Sequence, residues 1–313
     1  MVTKSCNITC KYCYMDSKSI DSKIEPLKPI MDIIELLETI KLEKLVLGGG
    51  EPFLRKDIFK ILEDSVKRFC TSILTNGTMI NKKIVEKLKY TGIDCISISL
   101  DSPHPTIHNQ FRDNSFSDAL ESIKSCIKHG IDVDMGVCVH KKNFEYSIEL
   151  IKMAEDLGLS SITFEGLNLI GRAEDRKYLQ LEAQETDHFL EKVYEYLKDE
   201  KPDINVIMFY PQWVRWDSNA KGCEAAKSFF GILPNGEMVP CTNIPISLGN
   251  VLNKDFEVLW NSEIMNKIRN YRRGGCKICK YKDKCGGCRS RAYCTGDLLG
   301  SDPLCTLSHE KVI

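Results

Sequence analysis

The chain lacks any apolar run approaching the ~20 residues of a membrane-spanning helix, and its opening stretch, MVTKSCNITC, lacks the apolar core of a secretory signal. A cytoplasmic protein with no membrane partner is expected. Charge of one sign is also missing. Across 313 residues, 43 Lys and Arg oppose 44 Asp and Glu, giving a net charge of −1 with the signs interspersed. That balance leaves no overall electrostatic footprint for nucleic acid or an anionic surface. Histidine is scarce: six residues, none paired with a cysteine at catalytic spacing. His104 and His108, near one strand's carboxyl edge, are the two placed to touch a substrate. No internal repeat or low-complexity tract interrupts the chain.

Cysteine is abundant. Fifteen cysteines in a chain expected to be cytosolic argue against disulfides, because that compartment keeps thiols reduced. Three fall between positions 6 and 13 and eight between 223 and 305. Such clustering at two ends reads as metal ligation. Cys70, Cys95, Cys126 and Cys138 lie between the groups and read as small packing hydrophobes.

Between the two groups, β-branched runs alternate with helical patterns. Strands are expected at 44–49, 71–77, 95–101, 132–139 and 161–167, with helices over 57–69, 80–90, 116–129 and 144–157. Repeated βα units imply a parallel sheet with right-handed crossovers, open or curled into a barrel. Ligands gather at the carboxyl ends of such strands, where GGGEP, TNGT and SLDS stand. A charged helical stretch over 175–200 ends at Lys201-Pro202. The expected division is a core over 1–202, a bridge over 203–222 and a small cysteine-rich α+β domain over 223–313. Within the last, 229–241 reads as a hairpin turning at Pro234-Asn235-Gly236, followed by a helix over 255–271.

Cys6, Cys10 and Cys13 are spaced C-x3-C-x2-C after the short strand VTKS. Three thiolates on one loop hold three corners of a cubane; a [4Fe–4S] cluster normally takes four cysteines, so one iron stays open for chemistry. The competing reading of the spacing is a zinc knuckle completed by a distant residue. The tail reads Cys223, Cys241, then Cys276, Cys279, Cys285 and Cys288 as C-x2-C-x5-C-x2-C, then Cys294 and Cys305. These thiolates suffice for two clusters, and paired C-x2-C units also suit structural zinc.

The first motif, with Tyr12 as its aromatic, resembles the signature of the radical S-adenosylmethionine (radical SAM) superfamily. That resemblance implies a partial (β/α)6-type parallel barrel, a [4Fe–4S] cluster on Cys6, Cys10 and Cys13, and S-adenosylmethionine at the open iron. Gly49, Gly50 and Glu51 resemble the family's GGE motif, which meets the methionine amino group; glycine there is expected to admit the ligand. Asn76, Ser99 and Asp101 match positions near the nucleoside, or else cap strand ends. Arg112 resembles the arginine that pairs with the methionine carboxylate, or else forms a surface ion pair. Asn143 reads as a helix N-cap. The family's first strand begins earlier than Val2, so a shortened or misassigned start is expected to affect stability more than chemistry.

The tail resembles the SPASM extension of radical SAM maturases. By that resemblance Cys276, Cys279, Cys285 and Cys305 hold an outer auxiliary iron–sulfur cluster, and Cys223, Cys241 and Cys288 an inner one. Cys294, or an open iron, would complete the inner site. The implied activity is reductive cleavage of S-adenosylmethionine to a 5′-deoxyadenosyl radical that abstracts hydrogen from substrate. A low-potential electron donor of ferredoxin or flavodoxin type is the implied partner. The substrate is a ribosomally made peptide or protein, or alternatively a tetrapyrrole or other small cofactor precursor. A non-catalytic iron–sulfur electron carrier is the reading from a different class.

Overall fold

Six parallel strands pair in strict chain order, and the cysteine loop enters beside the first of them. They are β1 (Lys44–Leu47), β2 (Cys70–Thr75), β3 (Cys95–Ser99), β4 (Val133–Val139), β5 (Ser161–Gly166) and β6 (Asn205–Phe209). The computed structural model describes residues 1–17 and 25–308; the expected domain's last residues, 309–313, lie outside these. Helix α1 (Leu27–Thr39) leads into β1, and the crossovers are made by α2 (Ile58–Ser65), α3 (Lys82–Thr91), α4 (Pro105–Phe111), α5 (Phe116–Lys128), α6 (Ser147–Asp156) and α7 (Ala183–Glu200). The sheet curls into a half-barrel, as the resemblance implied. Among the described residues no helix is long and apolar enough to cross a membrane.

Period-two alternation sorts the strands into two faces. Ile73, Ile96, Ile98, Val133, Met135, Val137, Ile162 and Phe164 are buried in one continuous core. Ser72, Leu74, Ser97, Ser99, Asp134, Gly136, Cys138, Thr163, Glu165 and Phe209 lie on the opposite, concave face by register. Its floor is polar: Asp134 accepts hydrogen bonds from Ser97 (2.6 Å), Ser161 (2.7 Å) and Thr163 (2.8 Å). Nearer the mouth, Leu74 (44%) and Phe209 (61%) stay exposed.

Some elements differ from expectation. The stretch 203–222, read as a bridge, contains β6, whose NVIMF run pairs with β5 from Ser161↔Asn205 onward. It escaped notice because it follows the helix-ending Lys201-Pro202. Helix α1 was missed although Ile30, Ile33, Ile34 and Leu37 form its buried stripe at helical spacing. The charged stretch over 175–200 becomes helical only from Ala183, where Glu182 and Glu185 form a reciprocal capping box. The helix over 255–271 is two helices, α8 (Phe256–Trp260) and α9 (Glu263–Asn270), broken at Asn261-Ser262. The hairpin forms as expected: β7 (Gly231–Ile232) and β8 (Glu237–Val239) pair antiparallel, and β9 (Gly249–Asn250) joins them. Two short helices, α10 (Gly274–Ile278) and α11 (Arg289–Cys294), complete the tail.

The C-terminal region is locked to the barrel by buried polar groups. Arg291 and Asp302 form an ion pair at 2.7 Å with side chains 1% and 0% exposed, and Gln212 accepts from Arg291 at 2.9 Å.

Candidate active site

The cysteine loop is held at both ends by backbone. Residues Val2–Ser5 run beside Gly48–Glu51: Val2 N–H donates to Gly48 O, Gly50 N–H to Thr3 O and Glu51 N–H to Ser5 O, at 2.8–2.9 Å. This contact explains two glycines more directly than a ligand does. A Cβ on Gly49 would strike the Thr3 carbonyl oxygen, and one on Gly50 the Ser5 carbonyl oxygen. At the far end, Arg172 donates from its backbone to Cys13 O (3.0 Å) and from Nε to Cys10 O (2.7 Å). Gly171, at φ +58°, lies where a Cβ would meet the Cys13 and Tyr14 carbonyls. Arg176 Nε reaches Lys11 O at 2.6 Å. Gly171, Arg172 and Arg176 had no motif to mark them; the one available signal was their place just beyond the carboxyl end of β5.

Cys6, Cys10 and Cys13 lie close together: Cys13 helps raise the pKa of Cys6, and Cys13 and Cys6 help raise that of Cys10. Burial pushes the Cys10 thiol up to about 12, against the pull of Arg112. Asn76 is buried and reaches toward this loop, donating to Asn7 Oδ1 at 2.9 Å, with Cys6 Sγ 3.9 Å from its amide nitrogen.

Glu51 is wholly buried. Its carboxylate accepts from Phe53 N–H (3.1 Å), the Thr75 hydroxyl (2.9 Å) and Asn76 N–H (2.9 Å). Burial raises its pKa to about 7, although those donors oppose the shift. Glu51 therefore ties the loop after β1 to the end of β2.

Asp101 and Arg112 are paired with each other, not placed at the surface. Arg112 Nε lies 2.6 Å from Asp101 Oδ2, and Cys138 N–H donates to Oδ1 at 2.9 Å. Burial works against the Asp101 carboxylate, but Arg112 outweighs it and holds the pKa below the usual range. The Tyr12 hydroxyl accepts from Arg112 Nε at 2.9 Å, while its ring packs with Phe111, Leu167, Ala173 and Leu179. Ser99 stands half-buried at the end of β3. Asn143 stands at the N-cap position of the turn Phe144–Tyr146, but its side chain makes no capping hydrogen bond. It is buried and donates to both Asp101 O and Cys138 O at 2.8 Å. His108, far from free to meet substrate, is buried with Nδ1 accepting from Asp101 N–H (3.1 Å) and Nε2 facing Ser115 Oγ (2.9 Å). His104 is turned to Glu149 at 3.4 Å. Of the scattered cysteines, Cys126 is buried but Cys70 is exposed at the start of β2.

The tail forms two thiol groups. Cys276, Cys279, Cys285 and Cys305 line one small cavity, with Gln212, Tyr281 and Lys282 in its wall. Cys223 and Cys288 both act electrostatically on Cys241. Burial raises the pKa of Cys294, with Leu169's backbone, Glu174 and Arg291 also acting on it. Both groups therefore fit clusters in number and chemistry, the first with four thiols and the second with three.

A side-chain contact joins the neighbourhoods of the inner group and the first cysteine loop. Tyr14, next to Cys13, hydrogen-bonds through its side chain with Thr242, next to Cys241. Glu165, on β5, accepts from Asn243 Nδ2 at 2.9 Å. Its side chain opens into the mouth, yet protein rings it, and that burial raises its pKa. A carboxylate thus lies within electrostatic reach of both Tyr14, next to Cys13, and Cys241. Nothing in the sequence motifs marked it.

The Radical SAM superfamily model matches residues 1–154, and the SPASM iron–sulfur cluster-binding domain model matches residues 223–289. The chain belongs to the radical SAM superfamily and carries a SPASM domain. This radical SAM enzyme is 28% identical to an AdoMet-dependent heme synthase of Methanosarcina barkeri, over 97% of this chain and 94% of that protein. It is 30% identical to the antilisterial bacteriocin subtilosin biosynthesis protein AlbA of Bacillus subtilis, over 92% of this chain and 65% of AlbA. Streptococcus suis SuiB bound to precursor peptide SuiA superposes at TM-score 0.81 with 18% identity, over 99% of this chain and 74% of SuiB. Native anSMEcpe with bound AdoMet superposes at 0.78, also 18% identical, over 98% and 93% of the two chains. At that identity these structures speak to the fold. The cofactors of a radical SAM–SPASM enzyme are a [4Fe–4S] cluster, S-adenosylmethionine and auxiliary iron–sulfur clusters.

Proposed function

We propose that this radical SAM enzyme modifies a peptide or protein side chain presented at the mouth of the half-barrel. Cys6, Cys10 and Cys13 would hold the radical-generating cluster; Cys276, Cys279, Cys285 and Cys305 the outer auxiliary cluster; and Cys223, Cys241 and Cys288 the inner one. Bound there, the cluster and S-adenosylmethionine supply a 5′-deoxyadenosyl radical that takes hydrogen from substrate. The protein's part is positioning and exclusion of water. Gly49, Gly50 and Arg172 hold the cysteine loop against the barrel, while the concave wall aligns the substrate.

One observation carries the peptide reading. The concave face presents the Glu165 carboxylate beside exposed Phe209, its register partner on β6, a surface that suits a side chain with an apolar body and a polar or cationic end. The propionates of a tetrapyrrole would meet a like charge at Glu165. The tetrapyrrole reading has its own support: the chain spans 94% of a heme synthase but 65% of AlbA.

Anaerobic formation of 5′-deoxyadenosine with a chemical reductant tests both. A short peptide encoded beside this chain should stimulate cleavage and emerge with altered mass, while iron-coproporphyrin III should not. Decarboxylation of the porphyrin, with no response to peptide, would replace the first reading with the second.

A further inference from the structure

We propose that the exposed basic surface over the outer cysteine group is the docking site of a small acidic electron-carrier protein. This inference rests on the reading that Cys276, Cys279, Cys285 and Cys305 hold a cluster.

The charge is local. Arg272 to Lys284 contains six basic residues and one acidic residue, Asp283, in a chain whose net charge is −1. Arg273, Lys277, Lys280, Lys282 and Lys284 are all exposed. Few of these charges are matched. Arg273 stands 3.7 Å from Asp297, Lys284 donates to the Ser218 carbonyl, and Lys280 lies over the Tyr281 ring at 5.1 Å. Among the described residues, no ion pair is formed by Lys277, Lys280 or Lys282. Apolar surface lies among the charges, with Ile278 59% and Tyr271 61% exposed. Exposed apolar centres rimmed by charge mark protein contact surfaces.

Its position decides the partner. Tyr281 and Lys282 belong both to this surface and to the wall of the cavity lined by the four outer cysteines. A protein seated on Lys277–Lys282 therefore sits directly beside that thiol group, where a single electron can cross without any bond forming or breaking. The carrier is oxidised by one electron and the outer cluster is reduced by one. Electron-transfer encounters bury little surface and depend on charge steering, which a compact basic patch with an apolar centre provides. A nucleic acid would instead follow an extended basic track along its backbone, and this run covers thirteen residues.

The test uses the reconstituted, cluster-loaded protein with reduced flavodoxin as the probe. The variants are Lys277→Glu/Lys280→Glu, and Lys60→Glu/Lys83→Glu as a control on α2 and α3. Stopped-flow bleaching of the cluster absorbance reports electron entry, and titration with oxidised flavodoxin reports docking. Reversing the two patch charges should slow reduction by about tenfold at low salt, and added salt should slow the wild type toward the variant. The control should match wild type, and dithionite should reduce all three alike. Equal rates and equal binding in patch variant and wild type, with four irons still in the outer site, would overturn the docking surface. Binding of a single-stranded oligonucleotide in place of flavodoxin would overturn it as well. Wild-type protein with no iron at the outer cysteines removes the cluster reading instead. In that case the flavodoxin titration decides the surface alone: binding lost in the patch variant upholds it, and unchanged binding rejects it.

Discussion

Arg112 and Asp101 form a two-point ion pair across the mouth of the half-barrel, with Nε 2.6 Å from Oδ2 and Nη2 3.2 Å from Oδ1. The same Nε approaches the Tyr12 hydroxyl of the cysteine loop at 2.9 Å, and Asp101 also accepts from Cys138 N–H. One pair therefore links the cysteine loop, the end of β3 and the end of β4.

Removing one partner should expose how much of this arrangement is architecture. The two side chains are 13% and 1% exposed, so Arg112→Ala leaves an unpaired buried carboxylate. It should cost about 3–5 kcal/mol of stability. A double Arg112→Met/Asp101→Asn variant should cost less than Arg112→Ala, because it removes both charges. Urea unfolding of the metal-free chain reads this directly. An Arg112→Ala protein as stable as wild type would mean that the pair contributes little to the fold, and that Arg112 is free for the methionine carboxylate.

Glu51 gives a pH signature. Its folded-state pKa of about 7 lies above its unfolded value near 4.5, so the folded chain binds the extra proton. Between these values stability should fall as pH rises, and the loss should be complete above pH 7. Glu51→Gln should flatten that slope while keeping most of the side chain's volume. Denaturation midpoints of the metal-free protein between pH 5 and 8 measure it. Parallel slopes in both proteins would place the titrating group elsewhere.

How far the sequence revealed the site depended on whether its parts were local. The cysteine spacings were legible because ligand geometry fixes short intervals: the four thiols assigned to the outer cluster do line one cavity. The βα alternation was legible because β-branched runs and turn residues mark each unit, so five of the six strands were anticipated. Partners brought together only by folding were not legible. Gly49 and Gly50 were read as making room for a ligand, whereas each also makes room for a carbonyl of residues Thr3–Ser5. Arg112 and Asp101 stand eleven residues apart and were assigned separately, with no local pattern to show that each is the other's partner. Glu165 went unnoticed because its significance comes from Asn243, Tyr14 and Cys241, which lie far from it in sequence.

The two ends of the molecule should separate under mutation. The thiol count, three at one end and seven in two groups at the other, predicts about 8 to 12 irons per chain by cluster stoichiometry, measured by anaerobic iron and sulfide assay. Replacing Cys6, Cys10 and Cys13 together by alanine should abolish cleavage of S-adenosylmethionine. Their loop is the thiol group whose leading residues pack against Gly49–Glu51. Cys279→Ala should lower iron by about four and leave uncoupled cleavage running, since Cys279 belongs to the cavity beneath the basic surface. Turnover of the true substrate should stop. Cluster binding also contributes to folding, so circular dichroism must show that the tail stays folded in the variant. About four irons with stoichiometric zinc in the wild type would remove the auxiliary clusters while leaving the radical core standing. A triple variant that still forms 5′-deoxyadenosine would remove the core assignment itself.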